Sequence, residues 1–387
     1  MSNILFLASY YPNQIEPLKG PFMRRHALAV ALYNNVCVLT SEKATGLGEP
    51  FTLDFQVEND VPTMRVYYNL DCPNIPIVRN IIRFYRFFYG LLRGYVFLKK
   101  QYGTFNCVHL NVVHPCGIIA LWLKKFEKLP FILTEHSTIY MGSEFYSLSR
   151  FNRRIHRKVL KLASEITVVS NVQGQAIQQL MPNIHFQVVP NVIDTDNYAI
   201  NIEKQSSKDG IKRLVHISNL VDWKGLDGIL TALSIISKQR KDFCLDIIGG
   251  STERIDFYKN LCKTLDLSPE RVAFHGSKDE KTLAAMLPNY DFMVLNSLHE
   301  TFCVVMVEAF ASGLPVLAPA CGAIPENLNS ERGLLMPNRE VETIVAYMLK
   351  MLDSVNHYAP NNIRQFVLDN FTPQIVGKTF DTIYHNI

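Results

Sequence analysis

Short apolar runs alternate with segments of helical periodicity along almost the whole chain, and this alternation constrains the fold more than any other feature. Parallel strands buried on both faces read as unbroken apolar runs, and the helices between them cover the sheet. The spacing predicts a first series of strands at Ile4–Ser9, Val36–Ser41, Val108–Asn111, Phe131–Thr134, Ile166–Ser170 and Phe186–Pro190. Helices are predicted between them at Pro21–Tyr33, Pro115–Phe126 and Arg150–Ala163. A second series follows at Arg213–Ser218, Cys244–Gly249, Val272–His275, Phe292–Asn296 and Val316–Ala318. Between the two lies a polar stretch, residues 195–210, with the composition of a linker. The chain's 387 residues exceed one ordinary core and suit two α/β domains, and no internal repeat points to a solenoid.

Composition narrows the function. Hydrophobic residues at 48% and charged residues at 19% exclude disorder, and a formal net charge of +4 makes no case for a nucleic-acid partner. The eight cysteines form no C-x-x-C pair and no cluster at metal spacing, so they read as buried free thiols of a reducing compartment. Residues 1–13 lack a basic leader and read as a first strand. No window holds eighteen uncharged apolar residues, and the expectation is a cytoplasmic protein.

Two carboxylates, Glu300 and Glu308, carry the chemistry. The run Phe292–Leu295 suits a buried strand, and Cys303–Ser312 has helical periodicity closed by Gly313 and Pro315. Glu300 is therefore expected in the loop at a strand's carboxyl end, with Glu308 inside the next helix. Ligands of open α/β sheets bind at that edge, and the helix amino terminus, around Thr301, Phe302, Cys303 and Val304, offers N–H groups to an anion such as a diphosphate. A carboxylate there repels phosphate, so the two acids are expected to read hydroxyls.

At these residues the chain resembles the retaining glycosyltransferases of family 4, with their E-x7-E signature followed by EA-x-A-x-G-x-PV. The match runs through Glu300, Glu308, Ala309, Ala311, Gly313, Pro315 and Val316. The resemblance implies the GT-B fold: two doubly wound, Rossmann-like α/β domains facing a cleft. It implies an acceptor-binding domain at 1–194, a nucleotide-sugar domain at 195–365 and a last segment, 366–387, whose helix returns to the first domain. It assigns the donor sugar to Glu300 and the ribose hydroxyls to Glu308.

The segment His216–Gly225 is similar to the family's V-G-R-L-x-x-x-K-G, which makes Lys224 the phosphate-binding lysine. The family's arginine is Asn219 here, and an amide carries no charge; Arg213 and Arg254 are the candidates to compensate. Gly249 and Gly250 end a strand where the family has a G-x-G turn, and they read either as ligand approach or as ordinary turn residues. His136, in T-E-H-S, resembles the family histidine beside the donor sugar, where an imidazole can bond a hydroxyl or move a proton; His114 is a weaker candidate of the same kind. Gly20 matches the family's Gly-rich loop before the first helix. Asp194-Thr195-Asp196 imitates a metal-binding D-x-D, but it lies at the expected hinge without a partner acid, and the class uses helix N–H groups and lysine in place of a metal.

Residues 77–100 hold six basic residues and no acid. Arg79, Arg83, Arg86, Arg93 and Lys100 share one helical face, with Phe84, Phe87, Phe88, Leu91, Leu92 and Tyr95 on the other. Two readings stand: a helix on an anionic membrane surface, and a core-packed helix with a solvated basic stripe.

The expectation is a metal-independent, cofactor-free retaining glycosyltransferase that moves a sugar from a nucleotide-diphosphate sugar to a hydroxyl of a glycan or lipid-linked acceptor, as in cell-surface polysaccharide or glycolipid synthesis. The rivals are a sugar-nucleotide epimerase of the same shape and a catalytically silent membrane-surface scaffold.

Overall fold

A computed structural model describes residues 1–200 and 210–387; most of the expected linker falls on 201–209, outside the described residues. The chain divides into two units, Met1–Val192 with Pro373–Ile387, and Ile193–Thr372.

The first unit is built on eight strands: β1 (Asn3–Ala8), β2 (Asn35–Ala44), β3 (Phe51–Glu58), β4 (Val61–Asn69), β5 (Cys107–Asn111), β6 (Phe131–Glu135), β7 (Glu165–Val168) and β8 (Gln187–Val188). Their order in the sheet is β3-β4-β2-β1-β5-β6-β7-β8. All neighbours are parallel except β3 and β4, an antiparallel hairpin absent from the sequence expectation. The hairpin turns at Asn59 and Asp60, both in the left-handed region at φ 49° and 63°, as a two-residue turn matched to strand twist requires. Helices α1 (Pro21–Ala31), α2 (Pro76–Tyr102), α3 (Gly117–Phe126), α4 (Glu144–Ser147), α5 (Arg150–Leu162) and α6 (Asn171–Leu180) connect the strands. Leu91 and Leu98 of α2, Ile119 and Leu123 of α3, Val159 and Leu160 of α5 and Ile177 of α6 share one core cluster. Met23 and Ala27 of α1 belong to another cluster, which the chain's last helix completes.

Among its described residues the second unit has six parallel strands, β9 (Lys212–Ile217), β10 (Phe243–Ile248), β11 (Val272–Phe274), β12 (Phe292–Val294), β13 (Val316–Pro319) and β14 (Gly333–Met336), in the order β11-β10-β9-β12-β13-β14. The chain starts in the middle, winds outward through β10 and β11, then returns to β12 beside β9 and winds the other way. That reversal makes the carboxyl edge between β9 and β12 the topological switch point, where such sheets bind ligands. The helices are α7 (Leu226–Ile236), α8 (Thr252–Thr264), α9 (Glu280–Met286), α10 (Val304–Ala311), α11 (Ile324–Asn327), α12 (Val341–Ser354) and α13 (Pro360–Asn370). α14 (Pro373–His385) groups with the first unit, where Val376, Phe380 and Tyr384 join the α1 cluster. The return begins at Pro373, later than 366: the N–H of Ile193 bonds the carbonyl of Phe371, whose ring packs on Phe302 and Phe366 in the second unit.

α2 turns most of its apolar face to the core. Phe87, Gly90, Leu91, Gly94, Tyr95 and Leu98 are buried on the sheet, so the face offered to a membrane in the sequence reading is largely core. Phe84 is 45% exposed and lies outside that core. Arg83 and Arg86 donate to the backbone carbonyls of Asn69, Leu70 and Asp71. Among the described residues, no helix is long and apolar enough to cross a membrane.

Candidate active site

In the second unit, four loops at the carboxyl ends of strands converge on one acid–base pair. The loop after β9 ends in a short 3-10 turn, Asp222–Lys224, and the loop after β12 carries Glu300. Lys224 Nζ lies 2.5 Å from Glu300 Oε1, with side-chain exposures of 21% and 11%. Burial pulls the Lys224 ammonium down, but the neighbouring Glu300 more than offsets this, so its value stands above that of an ordinary lysine. The Lys224 ammonium is thus held charged and partly withdrawn from water, where its field acts on a ligand with little screening.

The backbone fixes this pair. Leu298 N–H donates to Trp223 O at 2.7 Å and Ala323 N–H, in the loop after β13, donates to Glu300 O at 3.0 Å. Asn296 Nδ2 donates to Gly225 O at 3.0 Å, and Arg339, in the loop after β14, donates from Nε to Asn296 O at 2.8 Å. Gly225, at φ 64°, is required by this crowding, since a Cβ there would strike the Asn296 carbonyl and the Arg339 guanidinium. Gly225 also opens α7, whose amino terminus faces the same edge.

Glu308 is buried on α10, one helix beyond Glu300. Cys303 caps that helix in the left-handed region at φ 65°, an uncommon conformation for a residue with a side chain. Thr301 and Phe302 precede it and Val304 begins the helix, so the expected N–H donors lie at its amino terminus; the Phe302 ring is buried on Phe371. Burial holds the Cys303 thiol well above its ordinary value, and burial followed by Glu300 pushes Cys321 up to about 11, so both are protonated at neutral pH.

Gly249 and Gly250 follow β10 in a tight turn, where Cβ atoms would strike Ser218 O and the Leu220 side chain. Arg213, the second residue of β9, lies at the amino edge, paired in register with Cys244, and its Nη1 bonds Ile211 O, so it cannot serve a site at the opposite edge. Arg254 reaches the right edge but is engaged by Leu220 O, Tyr258 Oη and the Asp222 carboxylate. Asn219 is exposed in the loop after β9. Asp194, the first acid of the D-x-D look-alike, accepts from Asn197 Nδ2 beside a 3-10 turn.

In the first unit, His136 follows β6, Gly20 caps α1 at φ 64° and His114 lies exposed after β5. The sequence reading missed Glu135, the last residue of β6, which fixes the His136 loop. Its Oε1 accepts from the N–H groups of His136 and Ser137 and from Ser137 Oγ, and its Oε2 accepts from Val113 N–H. A carboxylate closing an otherwise apolar strand was the available signal. His136 itself is buried, and burial, then His26 and His109, hold it well below the usual imidazole range. The ring is neutral at physiological pH, a form suited to hydrogen bonding with a hydroxyl.

Buried neutral histidines also set the acid stability. Burial lowers His26 in the first unit and His216 in the second from 6.5 to about 4. Between those values the unfolded chain binds more protons than the folded one, so stability is complete above about pH 6.5 and is lost as pH falls toward about 4. Urea midpoints are expected to fall steadily from pH 7 to pH 4.5; a flat profile contradicts the burial of these rings.

Comparison with known proteins supplies the context. Residues 198–365 match the family model for glycosyl transferases group 1, and residues 34–197 match that for glycosyltransferase family 4. The chain is 26% identical over 302 residues to N-acetyl-alpha-D-glucosaminyl L-malate synthase of Bacillus anthracis, covering 74% of this chain and 76% of that protein. It is 25% identical over 308 residues to glycogen synthase of Mycobacterium tuberculosis, covering 76% and 73%. Among solved structures, sucrose-phosphate synthase of Thermosynechococcus elongatus superposes with a TM-score of 0.77 at 17% identity, covering 100% and 99% of the two chains. HepE of Anabaena in complex with UDP-glucose superposes with a TM-score of 0.73 at 16% identity, covering 100% of each.

Proposed function

The chain belongs to the group 1, family 4 glycosyltransferases of GT-B fold, and on that premise we propose that it transfers a sugar with retention, and without a metal, from a nucleoside-diphosphate sugar to a hydroxyl of a glycan or lipid-linked acceptor. The observation that carries this reading is the Lys224–Glu300 pair held at the switch point, with Glu308 on the helix that follows. The UDP-glucose held by HepE supports the donor class.

As the bond from the anomeric carbon to the diphosphate breaks, negative charge grows on the leaving oxygen, and Lys224 with the α10 amino terminus lies where it can stabilise that charge. Glu300 takes hydroxyls of the sugar and Glu308 those of the ribose. The acceptor oxygen bonds the anomeric carbon on the face the diphosphate leaves, and its proton passes to a diphosphate oxygen. No protein nucleophile is needed. His136, neutral, is assigned a hydrogen bond to a sugar hydroxyl.

A thermal-shift panel of UDP, GDP, CDP and ADP sugars, with EDTA throughout, tests the reading. One donor class is expected to stabilise the chain in EDTA, and the product formed from it is expected to keep the donor's anomeric configuration. Inversion removes the chain from the retaining class. Free nucleotide with an altered sugar and no need for acceptor favours the epimerase, and silence across the panel favours the scaffold.

The acceptor side includes an anionic membrane surface in this proposal. Of the helices on one face of the first sheet, α2 carries six basic residues, α3 two and α5 six, with no acid among them, which leaves the rest of the chain net acidic. Beside the α2 arginines runs an exposed apolar stripe, Val78, Ile81, Tyr85, Tyr89 and Val96, distinct from the buried face. Replacing exposed Arg93, Lys100, Arg154 and Lys158 by Gln is expected to release the protein from anionic vesicles, at about 1 kcal/mol per residue. Unchanged sedimentation with the vesicles returns this face to solvent.

A further inference from the structure

We propose that Arg339 supplies the second cation for the donor diphosphate, in place of the family arginine that is Asn219 in this chain. The inference rests on the transferase reading above.

Charge bookkeeping at the second unit's carboxyl edge motivates it. Lys224 is balanced by Glu300 and Arg254 by Asp222, so both of these cations are already engaged before a donor arrives. A diphosphate carries more than one negative charge, so a further cation without a carboxylate partner at this edge favours its binding. Arg339 is such a cation. Its guanidinium is half-buried in the loop after β14, with Nε on Asn296 O and Nη2 against Gly225, the residue next to Lys224.

Two features separate this guanidinium from an ordinary structural one. Among the described residues no carboxylate lies within ion-pair distance of Arg339, and Nε makes its one hydrogen bond, leaving the Nη donors of a five-donor group unused. It also sits at the amino terminus of α7, where the helix dipole disfavours a cation unless an anion joins them. The neighbouring loop holds one more buried donor without a partner among the described residues, Ser297 Oγ, on a residue 1% exposed. A planar guanidinium beside the lysine suits a diphosphate, because its paired N–H groups can bind two oxygens at once. Arg213 and Arg254, the alternatives, are excluded by position and by pairing.

Calorimetry on the full chain, with UDP and with uridine, tests the assignment; where the panel selects another base, its diphosphate and nucleoside replace them. Arg339→Gln is expected to weaken UDP about 10- to 100-fold and to leave uridine unchanged. Adding Asn219→Arg to that variant is expected to recover most of the loss. On the wild-type background, Asn219→Arg is expected to bring little gain, because the charge is already supplied. UDP affinity unchanged in Arg339→Gln overturns the proposal. So does an equal loss for UDP and uridine, which would mean that Arg339 only braces the Asn296 loop, and so does a tenfold gain from Asn219→Arg alone. Wild-type protein that binds none of the four diphosphates overturns the transferase reading, and this inference with it.

Discussion

Lys224→Met is expected to lower kcat/KM by about 10²–10³-fold, the usual cost of removing one preorganised group that stabilises the charge growing in a transition state. The same substitution leaves Glu300 in a largely dry site without its cation. Breaking a buried pair from one side costs about 3–5 kcal/mol, and the residual exposure of both side chains places this pair at the lower end. Combining Lys224→Met with Glu300→Gln is expected to restore most of the stability and none of the activity. Chemical denaturation and initial rates on the four members of this cycle separate the two roles. Activity that recovers together with stability would reduce Lys224 to a structural partner.

Glu300→Ala is expected to cost about 10²–10³-fold in turnover if the carboxylate aligns the sugar as a fixed polar group does. Its effect on nucleotide affinity is expected to be small or favourable, because the ammonium of Lys224, 2.5 Å away, is then released toward the diphosphate. Steady-state kinetics therefore shows the loss in kcat and spares the nucleotide product's inhibition constant. A parallel rise in that constant would place Glu300 on the nucleotide and not on the sugar.

Most central strands are legible because parallel strands covered on both faces need unbroken apolar sequence, as Leu5, Phe6 and Leu7 or Leu214 and Val215 show. The β3–β4 hairpin escapes that criterion because β3 is only partly buried and alternates in polarity; its signal is the turn at Asn59 and Asp60. On α2, periodicity gives an amphipathic helix but not the direction of the sheet. Gly90 and Gly94 give it, since a Cβ at either would collide with Val66 or Leu39.

The site divides in the same way. Glu300, Lys224 and Glu308 sit in loops and a helix whose positions follow from local order, so the motif places them at one edge. Arg339 reaches the β9 loop across the sheet from the loop after β14, and Glu135 holds the His136 loop through N–H groups of two different segments. Such contacts depend on strand order, which residue spacing does not encode.

The division of labour between the two glutamates is the centre of the account, and isothermal calorimetry of UDP, or of the diphosphate the panel selects, against Glu308→Ala and Glu300→Ala measures it directly. Deleting the charge-assisted bonds of Glu308 to the ribose is expected to cost about 1.5–3 kcal/mol of nucleotide affinity, whereas Glu300→Ala is expected to bind the nucleotide as tightly as the wild type or more so. Equal loss of affinity in both variants, or loss confined to Glu300→Ala, would contradict it.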